Sequence, residues 1–199
     1  SLAKAMWINE NITSLDLSSN FLNDHAGKYL ARILNRNNTI LSMELDSNEF
    51  GPMTCRAFGE SLKNNTSLKY LNLDSNPLLT QKIGLEQFKE FSDALSSSKT
   101  LTNINLHRCN ITAEGGSALI NALEKNDSIL FLDIGHNHIS MADQLRYGIA
   151  MDRNLKLYEK KMRQKEVDDA KQAAIDLERT TSAENERKDF ELKKWLDEQ

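Results

Sequence analysis

Residues Leu68 to Leu78 read L-K-Y-L-N-L-D-S-N-P-L, and this stretch decides the fold. Leu71 and Leu73 are two positions apart, a spacing that no helix places on one face but that a strand places on one side. Asn76 follows where the chain must turn. A turn packed beneath a neighbouring segment leaves backbone groups in need of partners, and an asparagine side chain carries donors and an acceptor to supply them.

Four further copies of the stretch align with it without gaps. They start at Ile12 (I-T-S-L-D-L-S-S-N-F-L), Ile40 (I-L-S-M-E-L-D-S-N-E-F), Leu101 (L-T-N-I-N-L-H-R-C-N-I) and Ile129 (I-L-F-L-D-I-G-H-N-H-I), so the successive starts lie 28, 28, 33 and 28 residues apart. Two apolar columns recur between the copies at i, i+4, as an inward helix face requires. The first is Leu2, Leu30, Phe58, Phe91, Leu119 and Leu145; the second is Met6, Leu34, Leu62, Leu95, Leu123 and Ile149. Each unit is therefore strand, turn, helix, turn, and it buries its apolar side only by stacking on its neighbours. The third unit carries five extra residues around Leu79 to Leu85, read as a longer loop ahead of its helix.

Units of this length with a full helix resemble leucine-rich repeats of the ribonuclease-inhibitor class, from Ser1 to about Leu155. The resemblance implies an α/β solenoid, with a parallel sheet inside and helices outside, that binds proteins rather than transforming substrates. Residues 1–155 form the expected solenoid: five strand-bearing repeats plus the end of an earlier one. Ser1 to Asn11 reads as the back half of that earlier helix, so the expectation is that the chain starts within a longer array.

Residues 156–199 differ in composition, with 23 charged residues among 44, and neither glycine nor proline. Opposite charges alternate at helical spacing, which supports an exposed helical extension. Val167, Ala170, Ala174 and Leu177 follow an a/d pattern over two heptads. Thr181-Ser-Ala-Glu184 reads as a capping box that starts a second helix. Phe190, Leu192, Trp195 and Leu196 concentrate apolar surface near the chain end, where a partner or the solenoid is expected to cover them.

The remaining composition narrows the function classes. A formal charge of −4 from 25 basic and 29 acidic residues gives no attraction to nucleic acid or an anionic membrane. No apolar run is long enough to span a bilayer. Cys55 and Cys109 are the only cysteines, and Cys109 stands at the asparagine position of its repeat. That position suggests a buried thiol in a reducing compartment rather than half of a disulfide. Asn-x-Ser/Thr triplets at Asn37, Asn64, Asn65, Asn110 and Asn126 fall in turns that favour asparagine in any case.

Strand residues between the core leucines point to the concave surface of such a solenoid. One column there is Asp16, Glu44, Asn72, Asn105 and Asp133; the next is Ser18, Asp46, Asp74, His107 and Gly135. Tyr70 and Phe131 stand in a third column as aromatic anchors. Asp16, Glu44, Asp46, Tyr70, Asp74 and Phe131, with Phe190, Leu192, Trp195 and Leu196 of the tail, are thus the candidate partner-binding residues, and a basic protein segment is the expected ligand of the acidic strand face. His107 and His136 belong to different columns with no carboxylate at ligand spacing, so no metal is expected. No serine has a histidine and an aspartate around it in repeat geometry. Gly115-Gly116 lacks a following Lys-Ser/Thr and is assigned to close helix packing, like Gly27 and Gly59. No catalytic residue or cofactor is expected.

The favoured function is a non-enzymatic scaffold within a cytoplasmic, cytoskeletal assembly. The array resembles ciliary leucine-rich-repeat subunits, which carry charged helical extensions. It also resembles tropomodulins and leiomodins, which bind actin-filament ends and share turns like Asn65-Thr-Ser-Leu68. The alternative is a GTPase-activating protein of the Ran type, which uses the same repeat class; that family follows the repeats with a strongly acidic run, and the nearly neutral tail here counts against it.

Overall fold

The computed structural model describes residues 2–80 and 83–197, apart from the side chains of Leu2, Ala3 and Leu196. In chain order the elements are α1 (Leu2–Trp7), β1 (Ser14–Asp16), α2 (Asp24–Leu34), β2 (Ser42–Glu44), α3 (Pro52–Leu62), β3 (Tyr70–Asn72), α4 (Leu85–Ser97), β4 (Asn103–Asn105), α5 (Ala113–Lys125), β5 (Phe131–Asp133) and α6 (Met141–Asp197). The strands form one parallel sheet in sequence order. The middle residues Leu15, Met43, Leu71, Ile104 and Leu132 pair in register across it. Each middle residue is buried towards the helices, while both of its strand neighbours reach solvent. The fold is a leucine-rich-repeat solenoid followed by a long helix.

Leucine and phenylalanine columns fill the space between sheet and helices. Leu30, Phe58, Phe91 and Leu119 are buried, as are Leu34, Leu62, Leu95 and Leu123. The glycines let adjacent helices touch: a Cβ on Gly27 would lie 2.1 Å from Thr54 Oγ1, and one on Gly59 3.0 Å from the Phe91 Cα. Helix α3 begins at Gly51, which has no side chain to cap it. Asp24 of the preceding helix takes over, accepting from the amides of Gly51 (2.9 Å) and Thr54 (2.8 Å) and from Thr54 Oγ1 (2.6 Å). In the longer third unit, Thr80 and Ile83 bridge antiparallel and Gly84 sits at φ +108° ahead of α4. Gln81 and Lys82, within that insertion, lie outside the described residues.

Two ladders of polar side chains hold the turns. At the strand-to-helix turn, Asn76 Nδ2 donates to the carbonyls of Leu45 and Leu73 (3.0 Å each), and its Oδ1 accepts from Phe50 N (3.0 Å). Asn48 and Asn137 repeat the pattern. Cys109 fills the intervening rung, its Sγ 3.1 Å from the Leu73 carbonyl, and burial pushes the thiol up to about 12. It is therefore a neutral, inert thiol at ordinary pH. At the helix-to-strand turn runs a second ladder. Asn65 Nδ2 donates to the carbonyls of Leu34 and Asn37, and Asn126 Nδ2 to those of Leu95 and Ser98. The Asn-x-Ser/Thr triplets at Asn37, Asn65 and Asn126 are thus buried rungs.

Two expectations about the last repeat and the tail are corrected. Leu145 and Ile149 do not continue the inward columns: they are 69% and 64% exposed. The strict 28-residue period after Leu119 and Leu123 falls on Tyr147 and Met151. Both pack against the core, and the Tyr147 hydroxyl donates to the Leu132 carbonyl at 2.7 Å. Apolarity picked the wrong pair because the true column carries a tyrosine. The capping box at Thr181 to Glu184 is not used either, since α6 runs unbroken through it. Thr180 and Thr181 turn their hydroxyls back to the Leu177 carbonyl, the alternative that Ser and Thr side chains have inside a helix.

In the last repeat the next rungs are carried by α6 itself. Where a further turn would place the next rung, Arg153 donates to the carbonyls of Leu123 (3.0 Å), Glu124 and Asn126 (2.5 Å). Asn154, wholly buried, donates to the Ile129 carbonyl (2.9 Å) and accepts from Arg153. Ser67 and Ser128 make the matching bonds in earlier repeats, to Ile40 and Leu101. Two side chains within α6 thus make the bonds that turn residues make in the earlier repeats. The chain divides into two compact units, Ser1–Lys156 and Leu157–Gln199. In the second unit ion pairs at i, i+4, such as Arg163 with Glu159 and Arg187 with Glu191, lie along the helix.

Candidate protein-interaction site

Strand register builds the first candidate surface. Ser14, Ser42, Tyr70, Asn103 and Phe131 fall in one row across the sheet, and Asp16, Glu44, Asn72, Asn105 and Asp133 in the next. A third row is set by the backbone bonds just after the strands: Ser19 N donates to the Asp46 carbonyl, Ser47 N to Asp74, Ser75 N to His107 and Arg108 N to Gly135. Asp16, Glu44, Asp46, Tyr70, Asp74 and Phe131 therefore share one face of the sheet, the side away from the helices. The three rows, the third being Ser18, Asp46, Asp74, His107 and Gly135, contain no lysine or arginine, and Arg108 follows His107 at the border of the third.

Contacts on this face organise the carboxylates. Asn72 Nδ2 bridges Glu44 Oε2 (2.8 Å) and Asp46 Oδ1 (3.1 Å). Asp74 Oδ1 lies 3.2 Å from His107 Nδ1, and the His107 ring meets that of His136 edge to face, with centroids 4.8 Å apart. Ser18 donates to Asp16 through its hydroxyl (2.6 Å) and its amide (3.0 Å), which holds that carboxyl below its ordinary range. Partial burial raises the Tyr70 phenol, and the neighbouring Glu44 and Asp46 raise it further. Phe131 is half exposed at the far end of its row. The result is a fixed comb of hydrogen-bond acceptors flanked by two aromatic rings. It can accept from cationic or amide donors. Among the described residues, no three His, Cys, Asp or Glu side chains are gathered as metal ligands.

The second candidate surface lies on the helix of the second unit, where Phe190, Leu192 and Trp195 are 70%, 57% and 57% exposed. The Leu196 side chain lies outside the described residues. Sequence reasoning missed the Asn72 bridge between Glu44 and Asp46, and the pairing of Asp74 with His107. The 28-residue offsets hold the signal for the first, since Asn72 stands one period after Glu44.

Comparison with known proteins fits this geometry. A family model described as "Leucine Rich repeat" matches residues 9–31, 64–82 and 97–119. The mouse protein "Centrosomal protein of 78 kDa" is 40% identical over 55 residues, which is 28% of this chain and only 7% of that protein. Among solved structures, "Leiomodin-1 Actin-Binding Site 2 (ABS2)" superposes with a TM-score of 0.69 at 20% identity, covering 86% of this chain and 95% of that one. A tropomodulin C-terminal domain from Caenorhabditis elegans gives a TM-score of 0.67 at 15% identity, covering 81% of this chain and 98% of that one. The chain thus carries leucine-rich repeats and shares its fold with the leucine-rich-repeat domains of leiomodin and tropomodulin.

Proposed function

We propose that this protein is a non-catalytic binding module of a cytoplasmic, cytoskeletal assembly, and that its acidic sheet face takes a basic segment of a partner protein. The observation that carries the reading is the set of five carboxylates, Asp16, Glu44, Asp46, Asp74 and Asp133, on a strand face without lysine or arginine. Mutual repulsion on such a face is relieved when cations arrive, which speeds encounter and selects the partner by charge. Tyr70 and Phe131 add apolar area at low conformational cost. Phe190, Leu192, Trp195 and Leu196 supply a second, apolar contact with the same assembly.

Two names among the comparisons narrow the setting. One matched structure is an actin-binding site of leiomodin, which supports actin, including a filament end, as a partner. The other matched protein, of which this chain matches only 7%, is centrosomal by name, and a centrosomal or ciliary setting is the second reading. A photo-crosslinking amino acid in place of Tyr70, followed by mass spectrometry of the joined peptides, tests the proposal. The expected adduct is a peptide rich in lysine or arginine, from actin or from a ciliary protein. Adducts confined to acidic or uncharged peptides overturn it.

A further inference from the structure

The outer faces of α2 and α3 carry charge of the opposite sign. A groove of about 570 Å³ runs between them, lined by Lys28, Arg32, Met53, Arg56 and Glu60, with Ala31, Ala57 and Ser61 among its small residues. Its floor is shallow in side chains because the two helices are drawn together at both ends. Gly27 admits Thr54 at one end, and at the other Ser61 Oγ donates to the Ala31 carbonyl at 2.7 Å. Long side chains remain only along the two walls.

Lys28 and Arg32 follow one another at i, i+4 along α2, and Arg36 stands just past its C-cap Asn35. Like charges at that spacing repel and weaken the helix that carries them. No carboxylate pairs with Lys28 or Arg32 among the described residues; the Arg32 guanidinium instead lies 5.5 Å from the Tyr29 ring centroid, and that of Arg36 lies 5.2 Å from the Trp7 ring. Across the groove Arg56 is held by Glu90 (3.1 Å) and more loosely by Glu60 (3.6 Å). Lys28 and Arg32 are thus two like charges one turn apart without a carboxylate between them, and an anion in the groove would offset their repulsion.

Spacing specifies the anion. Cations one helical turn apart are separated by ~6 Å along the helix axis. Alternate residues of an extended chain point the same way and recur every ~6.6 Å. An extended segment with a carboxylate at every second residue therefore keeps step with Lys28 and Arg32 on the α2 wall. We infer that the α2–α3 groove is a docking site for an extended acidic segment of a partner protein, with carboxylates at alternate positions and small side chains between them resting on Ala31 and Ala57. The site is separate from the sheet face, which takes the opposite charge.

The test uses the full chain and three fluorescein-labelled nonapeptides: alternating Glu and Ser, the same composition with the glutamates in one block, and alternating Lys and Ser. Fluorescence anisotropy is expected to show the alternating acidic peptide bound more tightly than the block peptide, with the basic peptide not bound at this site. Lys28→Glu/Arg32→Glu should weaken the acidic peptide about tenfold or more, since two attractive pairs become repulsive. Glu44→Lys/Asp46→Lys should leave it unchanged, so a failed groove and a failed sheet-face reading give different patterns. Equal binding by wild type and the groove variant, no preference for alternation, or no binding at moderate salt overturns the inference. So does light scattering that shows the groove variant dissolving a self-associated form, because the occupant is then a second copy of this chain.

Discussion

At the scale of single residues, the array depends on side chains that finish what the backbone leaves undone. Asn76 is almost wholly buried and satisfies three carbonyls and one amide from the turns of two successive repeats. Asn76→Ala is expected to cost roughly 1–3 kcal/mol, because those groups lose partners that water does not replace. Leu73→Ala, at an equally buried position, is expected to cost about 2–5 kcal/mol through the cavity it leaves. Thermal or urea melts of the two variants check both figures. The first asparagine ladder was legible in the sequence, since Asn48 and Asn76 stand at the same place in each copy. The second was only half legible. Asn37, Asn65 and Asn126 are visible in their turns, but asparagine is favoured in any turn, so their burial could not be read from composition. Asn154, one period after Asn126, sits mid-helix and gave no turn signal at all.

Elements, unlike residues, were misread where local rules competed with the repeat. A capping box is a local signal, and nothing in Thr181 to Glu184 excludes the competing arrangement in which both threonines bond backwards. The two alternatives differ at the next residue. At the first helical position proline is tolerated, whereas inside a helix it clashes with the preceding turn and costs ~3 kcal/mol or more. Ser182→Pro is therefore expected to lower the far-ultraviolet circular dichroism at 222 nm, as a break in α6 requires; an unchanged spectrum supports a helix that begins there. The last repeat allows a second test. Arg153→Met keeps the length of the side chain while removing the donors to Leu123, Glu124 and Asn126. Hydrogen exchange is expected to quicken at the end of α5 and the start of β5, with β1 and β2 unaffected. The sheet and its order were legible because strand register follows from copies without gaps. The 28-residue period also held the true inward pair Tyr147 and Met151, but apolar character alone pointed to Leu145 and Ile149.

For the whole molecule, charge is sorted by surface rather than by region of the chain. The candidate sheet face was legible residue by residue, because alternation assigns each strand side chain to a side. The bonds that arrange it were not, because Asn72 and His107 act across repeats. The groove between α2 and α3 was not legible, since its depth comes from Gly27 and Ser61 drawing two helices together. A Trp195→Ala/Phe190→Ala variant separates the proposed tail contact from the sheet-face contact. It is expected to keep the parent melting temperature and to lose part of the retention on an immobilised partner, since each large apolar side chain buried contributes about 1.5–3 kcal/mol before ordering costs. The most direct measurement is of the sheet face itself: partner retention by the Glu44→Lys/Asp46→Lys/Asp74→Lys variant across a salt series, after confirming a native circular dichroism spectrum. Retention is expected to collapse, with residual binding that no longer weakens as salt rises. Retention equal to that of the parent protein at every salt concentration contradicts that expectation.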